Sequence, residues 1–138
     1  MEGYLFIFLT VVFWGVTALI DKVALKHAVP LQGLFIRSCA VFVVIVTSFF
    51  VTGLYKGVQL LPRRTIFLFL LSGLLAGGLG MFTYYGALKR LPSSLVVPLC
   101  ATYPLLTAVL AVVFLKEELS LLRFLGIIFI IVGIWMVK

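Results

Sequence analysis

Residues 33–51 read GLFIRSCAVFVVIVTSFFV, a stretch that is apolar along nearly its whole length and yet contains Arg37. A helix needs roughly 20 consecutive apolar residues to cross the hydrocarbon core of a bilayer. The stretch therefore predicts a membrane-spanning helix. Its arginine requires an explanation, because a guanidinium stays charged in proteins and a charge inside a membrane is costly.

The composition of the whole chain agrees with this prediction. Of the 138 residues, 64% are hydrophobic and 11% are charged, whereas soluble domains carry about 25% charged residues. We therefore expect an all-α integral membrane protein whose immediate partner is the lipid bilayer. The net charge of +7 does not indicate a nucleic-acid partner, because the basic residues lie between apolar segments and form no basic cluster.

Polar stretches and stretches that contain proline or glycine divide the chain into five apolar segments. We place helices at about 4–24, 32–52, 66–88, 94–115 and 121–137, which together form a single five-helix membrane domain over residues 1–138. An odd number of crossings places the two termini on opposite faces of the membrane.

The basic residues are divided evenly between those two faces, with Arg37 embedded in the second helix. The side of the N-terminus carries Lys56, Arg63, Arg64, Lys116 and Arg123, and the opposite side carries Lys22, Lys26, Lys89, Arg90 and Lys138. Orientation in a bilayer follows an imbalance in lysine and arginine, and here there is almost none. This balance favours dual topology, in which both orientations are made and pair as an antiparallel homodimer. The alternative is one orientation, fixed by a single charge or by the insertion machinery.

Polar residues of the first helix share one face. Thr10, Trp14, Thr17 and Asp21 recur at spacings of four, three and four residues, which is a helical repeat. Since lipid disfavours such a stripe, we expect it to face the interior of the bundle.

The third helix has the same repeat, with Gly73, Gly77, Gly80 and Tyr84 on one face. Its GxxxG pair permits close approach of another backbone, which packing alone is enough to explain.

The fourth helix contains Pro98 near its start and Pro104 near its middle. Pro104 removes one backbone hydrogen bond and frees the carbonyl of Cys100, on the side of the helix that also carries Tyr103. Interrupted helices are frequent in the binding sites of transporters, but proline is common in membrane helices generally.

Arg37 lies about five residues into its helix, roughly 8 Å along the axis, on the side of the membrane where Asp21 ends the first helix. One interpretation is structural: an Asp21–Arg37 ion pair, or a side chain that extends to the lipid headgroups. The other is functional: Arg37 binds an anionic group of a small-molecule substrate, with Trp14, Tyr84 and Tyr103 completing the binding site.

The sequence does not indicate an enzyme. His27 lies in a loop without a nearby serine or cysteine partner, and Cys39 and Cys100 have no metal-type spacing. We therefore expect no catalytic residues, no metal site and no cofactor. The four acidic residues, all at or near helix ends, are Glu2, Asp21, Glu117 and Glu118. A proton-driven exporter of cations needs a carboxylate near a helix midpoint, so this class is disfavoured.

Four segments together resemble a known family: FWGVTALIDKVAL, FIRSCAVF, GLGMFTYYGALKRLPSSLVVPLCATYPLLTAVLAVVFLKEELS and LGIIFIIVGIW. They resemble, in order, successive parts of an EamA domain, the five-helix unit of the drug/metabolite transporter superfamily. Most members carry two such units in inverted topology. The resemblance therefore implies a multi-pass protein of the plasma (inner) membrane in which two copies associate.

The second half also resembles the small multidrug resistance family. ALKRLPSSLVVPLCATYP is similar to the start of its third helix, and Gly126 with Gly133 resembles the seven-residue glycine spacing of its last helix. That helix forms the dimer contact in that family, so the resemblance implies the same role for these glycines. The family also has an essential glutamate in helix one, and the matching position here is Trp14, a departure that argues against cation antiport.

Taken together, these observations predict a small secondary transporter that works as an antiparallel homodimer. It would move a small anionic or zwitterionic metabolite by alternating access. Two alternatives remain: a non-transporting membrane subunit of a heteromeric transporter or flippase complex, and a cationic multidrug exporter.

Overall fold

The computed structural model describes residues 2–58, 60–118 and 120–137. Eight α-helices and two π-helical segments make up this part of the chain, which contains no strand. The chain divides into two compact units, Met1–Arg90 and Leu91–Lys138. The helices are α1 (Glu2–Ala24), α2 (Pro30–Val51), α3 (Tyr55–Val58), α4 (Arg63–Ser72), α5 (Met81–Arg90), α6 (Ser93–Cys100), α7 (Tyr103–Leu110) and α8 (Leu121–Val137).

The first unit begins with two long apolar helices, α1 and α2. Pro30 is the first residue of α2, a position that suits proline because its missing N–H would have no helical partner there. The N–H of Val29 donates to Oε1 of Gln32 at 3.1 Å, which closes the start of the helix. Both helices are long enough to cross a bilayer.

The third apolar helix is composite, because a π-helical segment, Gly73–Gly80, joins α4 to α5. A Cβ atom at Gly80 would lie 3.0 Å from the carbonyl oxygen of Leu75, so this backbone geometry disfavours a larger residue there. A π turn closes its hydrogen bond over five residues, whereas an α turn closes it over four. Residues after the segment therefore face other directions than a regular α-helix would give them.

The buried core of the first unit lies where α1, α2 and α5 contact one another. Leu25, Tyr85 and Leu88 are each 3% exposed or less. Two lysines connect these helix ends by donating hydrogen bonds to backbone carbonyls. Nζ of Lys22 donates to Leu88 O at 2.5 Å, and Nζ of Lys89 donates to Ala28 O at 2.6 Å. These ammonium groups satisfy carbonyls that a helix end or a loop leaves without a helical partner.

In the second unit, the fourth apolar helix is interrupted, as the prolines predict. Helix α6 ends at Cys100 and α7 begins at Tyr103, with a turn between them. The hydroxyl of Thr102 donates to Leu99 O at 2.7 Å within this turn. Pro104 is near the start of α7, where its missing N–H removes no bond from the interior of a helix.

The fourth helix ends in a second π-helical segment, Ala111–Leu115. Lys116 follows with φ 54°, a left-handed conformation that stops the helix. The chain then enters α8, which packs against α6.

The prediction of an all-α membrane bundle is confirmed: the described part of the chain is helical, with four helices long and apolar enough to cross a membrane. The fifth, α8, has 17 residues. Its crossing of the bilayer, and with it the count of five crossings, stays a prediction. Most large apolar side chains are exposed in a single chain, as suits a surface that faces lipid or other protein.

Candidate functional site

Three polar side chains from three helices meet in the first unit, and we name them the Asp–Arg–Tyr triad. Nη1 of Arg37 lies 3.1 Å from Oδ2 of Asp21 and donates to the hydroxyl of Tyr85 at 3.2 Å. That hydroxyl in turn donates to Oδ1 of Asp21 at 2.9 Å. The three contacts close a ring of hydrogen bonds that joins α1, α2 and α5.

Each member of the triad is placed by its own helix. Asp21 precedes the end of α1 by three residues, and Arg37 lies about 10 Å along α2 from its first residue. Tyr85 is 2% exposed and packs against Gly33, where a Cβ atom would lie 3.2 Å from the tyrosine Cε2. The glycine thus lets the tyrosine ring approach the backbone of α2.

The triad compensates its own charge. One carboxylate faces one guanidinium, so the pair is neutral, which lowers the cost of placing either charge within the membrane. The Asp21 side chain is 14% exposed, whereas that of Arg37 is 38% exposed. Asp21 is therefore the enclosed member of the pair and Arg37 is the open one.

Arg37 uses only one of its three nitrogens within the described part of the chain. Both of its contacts go through Nη1, and Nε and Nη2 donate to no described group. No described side chain that is at least partly buried has a fully buried nitrogen or oxygen lacking a partner, so neither of these two nitrogens is fully buried. We call this edge of the guanidinium the open edge.

The structure brings together Asp21 and Arg37, and the hydroxyl of Tyr85 bonds to both of them. The rings of Tyr84 and Tyr85 are neighbours, with centroids 6.2 Å apart. The π-helical segment adds to the residues per turn ahead of both tyrosines, and the substrate-binding role of Tyr84 stays a prediction. The glycine-rich run GLLAGGLG was the one signal of such irregularity.

Trp14 lies on α1 two turns before Asp21, about 10 Å along the axis. Its side chain is 64% exposed. This position leaves the ring available to a ligand or to a neighbouring molecule.

Tyr103 lies in the second unit, on the wall of a cavity of about 430 Å³. Thr107 and Ile127 line the same cavity, as do Glu117 and Glu118. The sequence predicts that the two glutamates lie at a helix end, and the structure shows that they also border this cavity. Their position after the π-helical segment could not be read from spacing alone.

Gly126 and Gly133 lie on α8 and are exposed within the described chain. A Cβ atom at either position would meet nothing within 4 Å. The surface they share is thus open to close approach by another helix, although their role as the dimer contact stays a prediction.

Within the described residues, no group of three or more histidine, cysteine, aspartate or glutamate side chains is arranged to hold a metal ion. The triad itself offers a carboxylate, a guanidinium and a phenol hydroxyl, which are charges and hydrogen-bonding groups.

Comparisons with known proteins support the prediction that this chain is a transporter. The model of the EamA-like transporter family matches residues 1–138. The chain is 32% identical over 125 residues to an uncharacterized transporter of Sinorhizobium sp., and 29% identical over 126 residues to an uncharacterized protein of Methanocaldococcus jannaschii. Each alignment covers 91% of this chain and 88% of the relative.

An uncharacterized transporter of Archaeoglobus fulgidus is 30% identical over 74 residues, which are 54% of this chain and 27% of that protein. No solved structure matches the chain. The resemblance to the EamA domain is confirmed, and the long apolar helices are those of a multi-pass membrane protein. The chain, matched over its whole length, belongs to the EamA-like transporter family.

Proposed function

We propose that two copies of this chain, inserted in opposite orientations in the plasma (inner) membrane, form a secondary transporter for a small anionic or zwitterionic metabolite. The Asp–Arg–Tyr triad is the observation that carries the proposal. It places a partly exposed guanidinium among apolar helices, where charge is costly unless it is paired or functional.

The lengths of the relatives support a unit that works in pairs. The Sinorhizobium and Methanocaldococcus proteins are about as long as this chain, whereas the Archaeoglobus transporter is about twice as long. The relatives of this chain thus include proteins of about one-unit and of about two-unit length. Two copies of a one-unit chain together provide the two units that a longer chain contains in one polypeptide.

The antiparallel arrangement rests on charge and on packing surface. Lysine and arginine are balanced between the two predicted membrane faces, so neither orientation is favoured by the positive-inside rule. The exposed glycines Gly126 and Gly133 offer a surface on which two α8 helices approach closely. Alternating access then follows from rocking of one copy against the other around a central site.

The cavity beside Tyr103 favours a second candidate, a cationic multidrug exporter. Its wall carries an aromatic ring and the carboxylates of Glu117 and Glu118, groups that attract organic cations. Against it, no described acidic residue lies near a helix midpoint, and the resemblance to the small multidrug resistance family matches Trp14 to the essential glutamate of that family. A third candidate is a non-transporting subunit, for which Arg37 only binds a headgroup.

Uptake into proteoliposomes that contain only this chain tests the proposal. The panel holds anionic, zwitterionic and cationic metabolites, and each is measured for the parent, Arg37→Gln and the control Arg64→Gln. We expect uptake of anions or zwitterions by the parent and the control, with loss of at least tenfold in Arg37→Gln.

Two results would contradict the proposal. Uptake of cations that Arg37→Gln leaves unchanged would support the exporter, with Arg37 as half of a structural ion pair. Uptake that requires a second polypeptide would support the non-transporting subunit. Gel filtration of each variant shows whether it is folded.

A further inference from the structure

We propose that the open edge of Arg37, formed by Nε and Nη2, is a binding site for a carboxylate of the transported molecule. Asp21 and Tyr85 hold the opposite corner of the guanidinium and position that edge. The inference rests on the proposed function and gives its substrate a chemical group and a point of attachment.

The donor geometry of arginine supports a carboxylate. A guanidinium has five N–H donors in a planar fork, and a carboxylate accepts two of them side by side. In this chain the two contacts of Arg37 both use Nη1. Nε and Nη2 therefore keep three N–H donors with no described partner, arranged in the plane that a two-oxygen acceptor fits.

The apolar helix around Arg37 indicates that a hydrogen-bond acceptor contacts this edge. The side chain is 38% exposed on a helix whose exposed side chains are mostly apolar, among them Phe35, Ile36 and Val41. Hydrocarbon cannot accept hydrogen bonds, so a charged group left with open donors there is strongly disfavoured. Water, a lipid headgroup or a substrate must satisfy them, and a substrate does so only when it binds.

The charge of the triad selects among anions. Asp21 already balances Arg37, so a bound carboxylate makes the site singly negative. A zwitterion brings its own compensating positive charge, whereas a phosphate dianion leaves two uncompensated negative charges in a medium of low dielectric constant. The expected order of affinity is zwitterionic carboxylate, then simple monocarboxylate, then inorganic phosphate.

The two positioning residues act from different helices. Asp21 on α1 and Tyr85 on α5 both contact Nη1, and the enclosed Tyr85 ring is itself fixed against Gly33. Removing either contact frees the guanidinium to rotate while the charge stays in place. Loss of either contact should therefore reduce the preference for a carboxylate over its uncharged counterpart more than it reduces the stability of the protein.

The test uses matched pairs of ligands, each a free carboxylate and its primary amide, including amino acids with their C-amides and benzoate with benzamide. Binding to the purified chain is measured as ligand-induced change in Tm, and uptake is measured in proteoliposomes. We expect the carboxylate member of at least one pair to stabilise and be transported, with at least tenfold weaker binding of its amide.

Variants assign the effect to the open edge. Arg37→Lys keeps the charge but loses the two-donor fork, so carboxylate affinity should fall by about tenfold, whereas Arg64→Lys should leave it unchanged. Tyr85→Phe should reduce the ratio of carboxylate to amide affinity. Equal binding of both members of every pair, or an unaltered Arg37→Lys, would overturn the inference.

Two further outcomes separate this inference from the proposed function. If carboxylates stabilise the parent but nothing is taken up, the site stands and the transporter proposal fails. If instead the purified chain retains an anionic phospholipid that mass spectrometry shows to depend on Arg37, the occupant is a lipid phosphate and the inference is wrong. The uptake assay makes the same distinction by comparing two kinds of vesicle. Vesicles of phosphatidylcholine alone contain no anionic phospholipid, whereas vesicles with phosphatidylglycerol do.

Discussion

At the scale of the residue, Arg37 is tolerated in an apolar helix because two neighbouring helices supply its partners. Asp21 provides the opposite charge at 3.1 Å and Tyr85 provides a hydroxyl at 3.2 Å. Breaking a buried pair by removing one partner typically costs about 3–5 kcal/mol. Arg37 is partly exposed, so solvent or headgroups reduce that figure for this pair.

The first prediction concerns the hydroxyl of Tyr85. Tyr85→Phe removes one donor to Asp21 and one acceptor for Arg37 while the buried ring stays in place. We expect a loss of about 1–2 kcal/mol in stability, seen as a lower Tm in detergent. The control Tyr4→Phe changes an 81% exposed side chain and should leave Tm unchanged, and an equal Tm for both variants would contradict the role given to Tyr85.

The second prediction concerns Gly33, against which the ring of Tyr85 packs. A Cβ atom there would lie 3.2 Å from the tyrosine Cε2, and two hydrogen bonds restrain the ring from moving away. Gly33→Ala should therefore lower Tm, even though alanine favours a helix over glycine by about 1 kcal/mol. At Gly15 a Cβ atom meets nothing within 4 Å, so Gly15→Ala should be neutral or stabilising. A higher Tm in both variants would show that the Tyr85 ring moves freely.

The sequence predicts the Asp21–Arg37 pair because both residues fall near the same ends of adjacent helices joined by a short loop. It does not predict Tyr85, since that choice depends on helix geometry between residues 73 and 80. The wall of the cavity beside Tyr103 depends on tertiary packing that residue spacing does not encode.

At the scale of the element, the third and fourth apolar helices both depart from regular α geometry. Glycines permit the π-helical segment Gly73–Gly80, and the prolines coincide with the interruption between α6 and α7. π-helical turns occur frequently at functional sites. Periodicity predicts where these helices lie in the chain, but it assumes 3.6 residues per turn and so does not account for the change of face that an irregular turn introduces.

The third prediction tests the π-helical segment with a matched pair. At Gly80 a Cβ atom would lie 3.0 Å from a backbone oxygen of Leu75, whereas at Gly78 it would meet nothing within 4 Å. Gly80→Ala should therefore lower Tm by an amount equivalent to about 1–3 kcal/mol, because a backbone oxygen cannot move as a side chain does. Gly78→Ala should be tolerated, and equal effects of the two variants would contradict the π geometry.

The fourth prediction concerns the surface of α8. Leucine at Gly126 or Gly133 fills space that two closely packed helices need, so each variant should shift the detergent-solubilised protein from dimer to monomer. Light scattering coupled to gel filtration measures the mass. Gly3→Leu, at another exposed helical glycine with open space, is the control, and dimers that persist in both α8 variants would place the contact on a different helix.

At the scale of the whole molecule, composition is enough to predict a multi-pass membrane protein. The hydrophobic share of 64% and the spacing of polar breaks establish the class and the approximate helix positions. Orientation is different, because it depends on a small imbalance of charge. With that imbalance near zero, the positive-inside rule predicts no preferred orientation, and the antiparallel pair is the arrangement that we propose.

The most direct test of two oppositely inserted copies is two-sided labelling of single cysteines in intact cells. Cys39 and Cys100 are first replaced by serine, and a cysteine is then placed at Lys26 or at Lys56, on the two predicted faces. Lys26 suits this better than Lys89, whose ammonium bonds to Ala28 O. A membrane-impermeant maleimide applied before and after permeabilisation measures the accessible share.

We predict that each cysteine is labelled in part from outside and in full only after permeabilisation. The reason is that the two copies present opposite faces of the chain to the outside of the cell. Complete labelling of one position from outside with none at the other would fix a single orientation. That result would contradict the antiparallel homodimer.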